Sequence, residues 1–204
     1  MPRGFTEKEK EKIRENLILE GRQLFSRYGL KKTSIKDLTK RVGIAQGTFY
    51  KFYSSKEELY FEIIEKIEAQ MKQELLNNDF LGGSITRDEF RRFLKKAFNM
   101  IDQNPLLKNI YKENEYRQLI KKLPEEKIKS HIENDIADLK PLLDRWYEAG
   151  CLKDRDFEAI SGLLRGLFLL TLHRQEIGDK NYEKTINLLI DLMAEGLIKG
   201  EDSN

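Results

Sequence analysis

Cysteine is nearly absent: Cys151 is the only one in 204 residues, so neither an internal disulfide nor a cysteine-based metal site is available. A lone cysteine in a helix-rich chain is ordinarily an inert small hydrophobe. Histidine is almost as scarce. His131 and His173 each have a nearby carboxylate, Glu133 and Glu176, but no third ligand at metal-binding spacing. No strand-like alternation is visible, and so no glycine-rich phosphate loop following a strand. The expectation is a protein that is not an enzyme, with no catalytic residues, no metal and no cofactor. Proline is limited to Pro2, Pro105, Pro124 and Pro141, which leaves most of the chain free to be helical. The most apolar run, Leu163–Leu172, is interrupted by Arg165 and is too short to cross a bilayer. The first residues are charged and lack the apolar core of a secretory signal. These absences predict a cytoplasmic protein with no membrane partner.

What is present is charge, unevenly placed. Residues 1–56 carry fourteen Lys/Arg and six Asp/Glu, a net +8; the rest carries twenty-three and twenty-nine, a net −6. A basic head on an acidic body is the charge pattern of a nucleic-acid-binding domain joined to a domain that does not bind nucleic acid.

Within the head, Ser34 can cap a helix with Asp37 in its first turn, and Ile35, Leu38 and Val42 share one face. Gly43 ends that helix where a positive φ is needed. Ile44 anchors the turn. A second short helix starts near Ala45 or Gln46, with Phe49 and Phe52 as its inward residues. Gln46, Gly47, Thr48, Tyr50 and Lys51 are left outward. Gln and Thr can read base edges, Gly47 lets the backbone come close to a duplex, and Tyr50 and Lys51 suit phosphates. Lys56, beside the exposed N–H groups of the next helix, suits a phosphate clamp. Taken together this is a helix-turn-helix facing DNA. Two short amphipathic helices joined by a glycine also occur in ordinary helical cores, but the basic flank and the Gly47-Thr48-Phe49-Tyr50 run favour the DNA-binding reading.

Leu24-Phe25 followed by Gly29, then Thr33-Ser34-Ile35, Val42-Gly43-Ile44, Gly47-Thr48-Phe49-Tyr50 and Ser55-Lys56-Glu57-Glu58-Leu59, resemble the N-terminal domain of the TetR family of bacterial repressors. The resemblance spans roughly residues 8–60. It implies that Lys36, Gln46 and Thr48 face bases, while Thr33, Ser34, Tyr50 and Lys56 hold phosphates. Phe52 departs from the family, which often has His or Tyr there. Either that phosphate contact is lost or Tyr53 replaces it.

The remainder reads as helices. Thr6-x-x-Glu9 and Thr86-x-x-Glu89 are capping boxes. One helix runs from about Lys56 to Leu76, followed by a turn-rich break at 77–84. Pro105 and Pro124 bracket a shorter helix near 107–121, and another runs from about Glu125 to Ala149 with Pro141 expected to kink or divide it. Two more cover about 156–178 and 182–199. The predicted architecture is all-α: a three-helix DNA-binding domain, 1–56, and a helical ligand-binding and dimerisation domain, 57–204. The penultimate helix is apolar on more than one side, so it is either a central core helix or shared with a second subunit. The resemblance implies a homodimer, with Leu163, Leu167, Leu170, Ile190 and Leu197 at the interface. It also implies a cavity for a small apolar or aromatic inducer, with Phe93, Phe98, Trp146 and Phe168 as candidate walls and Tyr116, His131 and His173 as candidate polar groups. The function expected is a repressor that occupies a pseudopalindromic double-stranded operator and is released by the inducer. The alternative is an activator or architectural protein without an inducer.

Overall fold

A computed structural model describes residues 5–76, 83–112, 115–154 and 156–200. Among them every extended element is a helix: α1 Glu7–Lys32, α2 Ile35–Val42, α3 Gln46–Phe49, α4 Lys56–Leu76, α5 Arg87–Gln103, α6 Pro105–Lys112, α7 Glu115–Ile120, α8 Glu125–Glu148, α9 Phe157–Leu169, α10 Arg174–Ile177 and α11 Asp179–Leu197. A single antiparallel bridge joins Leu152 to Ile198. The fold is all-α, as the periodicity predicts. Most of the turn-rich break, 77–82, lies outside the described residues.

Local chemistry sets several of these boundaries. Thr6 and Glu9 form a reciprocal capping box at the start of α1, and Thr86 and Glu89 do the same ahead of α5. Pro141 does not divide α8, which stays one helix from Glu125 to Glu148. The expected 107–121 helix is seen as α6 and α7, with 113–114 between them outside the described residues. The expected 156–178 helix breaks into α9, a 3-10 turn at Leu170–His173, and α10.

The chain forms two compact units that do not coincide with the 56/57 boundary expected from the sequence. The first comprises 1–68 together with 104–123, and the second 69–103 together with 124–204. The division falls inside α4, where composition shows no break. The first unit regains α6 and α7 because α6 packs against α1 and buries Leu106, Leu107 and Ile110. Lys122 adds an ion pair to Glu57 at 2.6 Å, with the Glu57 side chain nearly buried. Phe25 of α1 meets Tyr60 of α4 edge-on at 4.7 Å, and Leu17, Leu24, Leu59, Ile63 and Ile64 are buried in the same unit. The two helices cross closely at Gly21, where an added Cβ would lie 2.9 Å from Ile63 Cδ1.

The second unit centres on Trp146, which meets the rings of Phe90 and Phe93 edge-on at 6.1 and 6.0 Å. Leu94, Leu142, Leu143, Ile160, Leu164, Leu167, Ile186 and Ile190 complete the core. Arg91 of α5 joins Asp191 of α11 at 2.9 Å. Cys151 is half-buried, and its sulfur accepts the Ile85 N–H at 3.3 Å, consistent with a packing role.

Two of the expected dimer residues are therefore core residues: Leu167 and Ile190 are 3% and 1% exposed. The 3.6-residue period marks apolar faces without saying which one the chain itself covers. Leu163 is exposed, and Leu170 and Leu197 are half-buried. Leu163 and Leu169 on α9 and Leu188 and Leu192 on α11 are among the large apolar side chains left open. Gly162 and Gly166 share that α9 face, and nothing lies within 4 Å of a Cβ built on either.

Candidate nucleic-acid interface

The DNA-facing candidates are held by short-range hydrogen bonds. Ser34 caps α2: its hydroxyl accepts the Asp37 N–H at 3.2 Å and donates to the Asp37 carboxylate at 2.5 Å, and its own N–H donates to that carboxylate at 3.1 Å. The Ser34 hydroxyl, with help from its N–H, holds the Asp37 carboxyl below the usual range. Thr39 returns its hydroxyl to the Ile35 carbonyl at 2.9 Å and is buried. Gly43 then turns the chain at φ 77°, ψ 31°, a left-handed conformation that a side chain would strain. The Ile44 N–H reaches back to the Thr39 carbonyl at 3.0 Å and closes the turn.

α3 begins after the extended residue Ala45, and its axis is anchored by Phe49, fully buried. Tyr53, one turn further on, packs on Phe49 with ring centroids 5.8 Å apart, and the Arg14 guanidinium lies 5.6 Å from its ring. That arrangement leaves Gln46 and Gly47 exposed at the start of α3 and Thr48 half-exposed. Tyr50 is 56% exposed, and Lys51 is exposed with its ammonium 5.7 Å from the Phe5 ring. Lys36 stands exposed on α2. Base-type and phosphate-type side chains thus come together around the α2–α3 corner.

Three expectations meet a different geometry. Thr33 is 2% exposed, and its hydroxyl donates to the Gly29 carbonyl at 2.8 Å, so it closes a turn and does not face outward. Tyr53 is 3% exposed, deeper than Phe52, so it is a core residue and offers no phosphate contact. Burial and the neighbouring Glu62 carboxylate push its phenol well above its ordinary range. The spacing from Phe49 to Tyr53 is the i,i+4 relation that puts two rings on one face, a signal present in the sequence. The Lys56 ammonium does not stand free for a phosphate: it donates to the carbonyls of Leu30 at 2.6 Å, Thr33 at 2.7 Å and Lys31 at 3.4 Å. Ser34 remains exposed, although its hydroxyl serves the cap.

A feature the sequence reading missed is a surface cleft of about 580 Å³ lined by Leu24, Tyr28, Lys32, Thr33, Asp37, Lys40 and Arg41. Lys40 follows Lys36 by four residues, so both lie on one side of α2.

The ligand candidates are divided. Tyr116 belongs to the first unit, and the other six belong to the second. Phe93 and Trp146 are core residues, and Phe98 stacks on Phe168 at 4.9 Å. His131 lies 3.8 Å from Asp135, and His173 lies 3.6 Å from Glu176 with 41% of its side chain exposed. Among the described residues no group of three His, Cys, Asp or Glu is placed to hold a metal ion.

A basic head whose short second helix presents an amide, a glycine and a hydroxyl defines a helix-turn-helix DNA-binding domain. Comparison with known proteins agrees: residues 17–63 match the bacterial regulatory proteins of the tetR family. Across 200 residues, 94% of this chain and 98% of the relative, it is 26% identical to the uncharacterized HTH-type transcriptional regulator YhgD of Bacillus subtilis. YvdT, another uncharacterized HTH-type transcriptional regulator of that organism, is 42% identical over 53 residues, 26% of this chain and 27% of the relative. A crystal structure of a TetR-family transcriptional regulator from Pectobacterium atrosepticum shares the fold with TM-score 0.71 at 22% identity, covering 97% of this chain and all of that one. A second, from Shewanella sp. PV-4, has TM-score 0.59 at 15% identity over 92% of this chain and 98% of that one. Residues 17–63 thus carry the helix-turn-helix domain of the tetR family of bacterial regulatory proteins, and the chain is a DNA-binding transcriptional regulator. That family consists of regulators, not enzymes.

Proposed function

We propose that this regulator is a repressor that acts as a homodimer on a pseudopalindromic operator and is released by a small apolar or aromatic molecule. The observation that carries the reading is the exposed Gln46-Gly47-Thr48 run at the head of α3, backed by the buried Phe49 that fixes its direction. Gln46, Thr48 and Lys36 read base edges, Gly47 lets the backbone approach, and Ser34, Tyr50 and Lys51 set the register on phosphates. Thr33, Tyr53 and Lys56 drop out of the contact set on their geometry.

The open leucines of α9 and α11 support a second copy as the partner, because several exposed leucines on a charged protein favour an association surface. Two-fold pairing then puts two recognition helices on successive turns of one duplex, about 34–36 Å apart. The inducer belongs to the second unit. Trp146 Nε1 and Ser161 Oγ are buried there without a hydrogen-bond partner among the described residues, and a ligand carrying polar atoms would satisfy such groups. Ligand that binds best when the heads are misplaced for DNA shifts the population off the operator, and by linkage DNA weakens ligand binding equally. The protein works in the cytoplasm. No helix among the described residues is long and apolar enough to cross a membrane.

Selection of bound fragments from random duplex DNA tests the core of this reading. A two-fold symmetric motif with half-sites one helical turn apart is expected, and transcripts of adjacent genes should rise when the chain is deleted. A motif without symmetry would overturn the dimeric operator, and falling transcripts would make the protein an activator.

A further inference from the structure

Lys56 occupies an electrostatically unfavourable place. It is the first residue of α4, where the exposed N–H groups favour negative charge, and Glu57 and Glu58 beside it follow that preference. What compensates lies elsewhere in the chain. The regular run of α1 breaks at Gly29, φ 76°, and a last turn continues to Lys32. Leu30 and Thr33, beyond that break, are buried at 5% and 2% exposure, where a carbonyl gains from a donor supplied by the protein. The Thr33 hydroxyl takes the Gly29 carbonyl. The Lys56 ammonium takes those of Leu30, Lys31 and Thr33. An ammonium carries several donors that can be shared among carbonyls in this way, and a cation there also suits the negative end of α1.

We infer that Lys56 is a positioning residue that sets the base-reading corner from behind, and not a phosphate contact. The inference rests on the DNA-binding reading of the head. The Thr33 carbonyl is bonded to Lys56, and the next residue, Ser34, is the N-cap of α2. Holding that carbonyl fixes the angle at which α2 leaves α1. Lys36 lies in the first turn of α2, and α2 packs on α3, which carries Gln46. The ammonium therefore ties α4, the end of α1 and the start of α2 into one rigid junction, and the direction of the specificity residues depends on it.

The test uses the full chain with Lys56→Met, which keeps the apolar stem, and Lys56→Arg, which keeps the charge in case the first folds poorly. Affinities for the selected operator and for a random duplex are measured across a salt series. A positioning role lowers the operator-to-random ratio about tenfold in Lys56→Met and leaves the salt slope as in the wild type. Lys56→Arg should lose a few-fold of that ratio, because a planar fork cannot aim at three carbonyls as an ammonium does. In the DNA-free protein, Lys56→Met should speed amide exchange over residues 34–38 and leave 60–64 unchanged. Three results would overturn the inference. One is an equal loss on both duplexes with a slope shallower by about one per half-site, the mark of a phosphate contact. Another is full operator affinity in Lys56→Arg. The third is a lowered melting temperature with an unchanged ratio and uniformly faster exchange, the mark of a merely structural prop. Wild-type protein that binds no duplex at all would instead remove the DNA-binding reading, and the inference with it.

Discussion

Gln46 and Asp37 show how differently two exposed polar residues of one small domain can act. Gln46 is exposed at the open end of α3, so its amide is available to a base edge. Gln46→Ala should cost about 1–3 kcal/mol at one or two positions of each half-site and leave the others unchanged. Operator variants substituted base by base would show this; a uniform loss would remove Gln46 from the base-reading set. Asp37 is also exposed, but it is committed to the Ser34 cap, which holds its carboxyl low. A depressed carboxylate pKa means stability that is complete above the ordinary carboxylate range and lost as pH falls through the folded value. The melting temperature of the wild type should therefore exceed that of Asp37→Asn near neutral pH, with the gap closing below about pH 4. A constant gap down to pH 2 would show that the cap does not depend on the charge.

Among the elements, α9 and α11 carry the clearest consequence of burial. Each has one face in the core of its own unit and another left open, and adjacent leucines can have opposite fates. Leu163→Glu, or Leu192→Glu on α11, should yield a folded monomer in sedimentation, because both side chains are more than half exposed. Leu167→Glu should instead unfold the chain, because a carboxylate would enter the packed interior without a partner. A folded dimer from Leu163→Glu and Leu192→Glu together would place the association surface elsewhere. α2 makes the complementary point: its start, stop and turn all rest on bonds spanning three to five residues, so a short sequence window contains the whole device.

For the molecule as a whole, the division into units matters more than the break at 77–84. A fragment ending at Leu76 carries every residue of the helix-turn-helix but lacks α6 and α7. It would expose the α1 surface that α6 covers and leave Glu57 without Lys122. Such a fragment should show reduced helicity and no cooperative thermal transition, whereas the full chain should unfold cooperatively. A sharply melting fragment would mean that 104–123 is dispensable to the head. The charge asymmetry also acts at this scale. A basic head on an acidic body should make DNA affinity fall steeply with salt, by close to one power of salt concentration for each phosphate contacted.

The TetR-type head, the cap at Ser34, the turn at Gly43 and the span of α4 are legible in the amino-acid order, since each depends on neighbours within about one or two turns. So is the exposure of Gln46, which follows from Phe49 facing inward. The partners of Lys56 are not legible, because the carbonyls it serves lie 23 to 26 residues earlier and nothing in the spacing links them. The same holds for the return of 104–123 to the first unit and for the choice between Leu163 and Leu167 as the outward residue. Periodicity reports that a helix has an apolar face; which surface covers that face is decided by contacts between segments distant in the chain. Local hydrogen bonding therefore wrote the elements into the sequence, and only tertiary packing decided which of their side chains are buried in the core and which stay exposed.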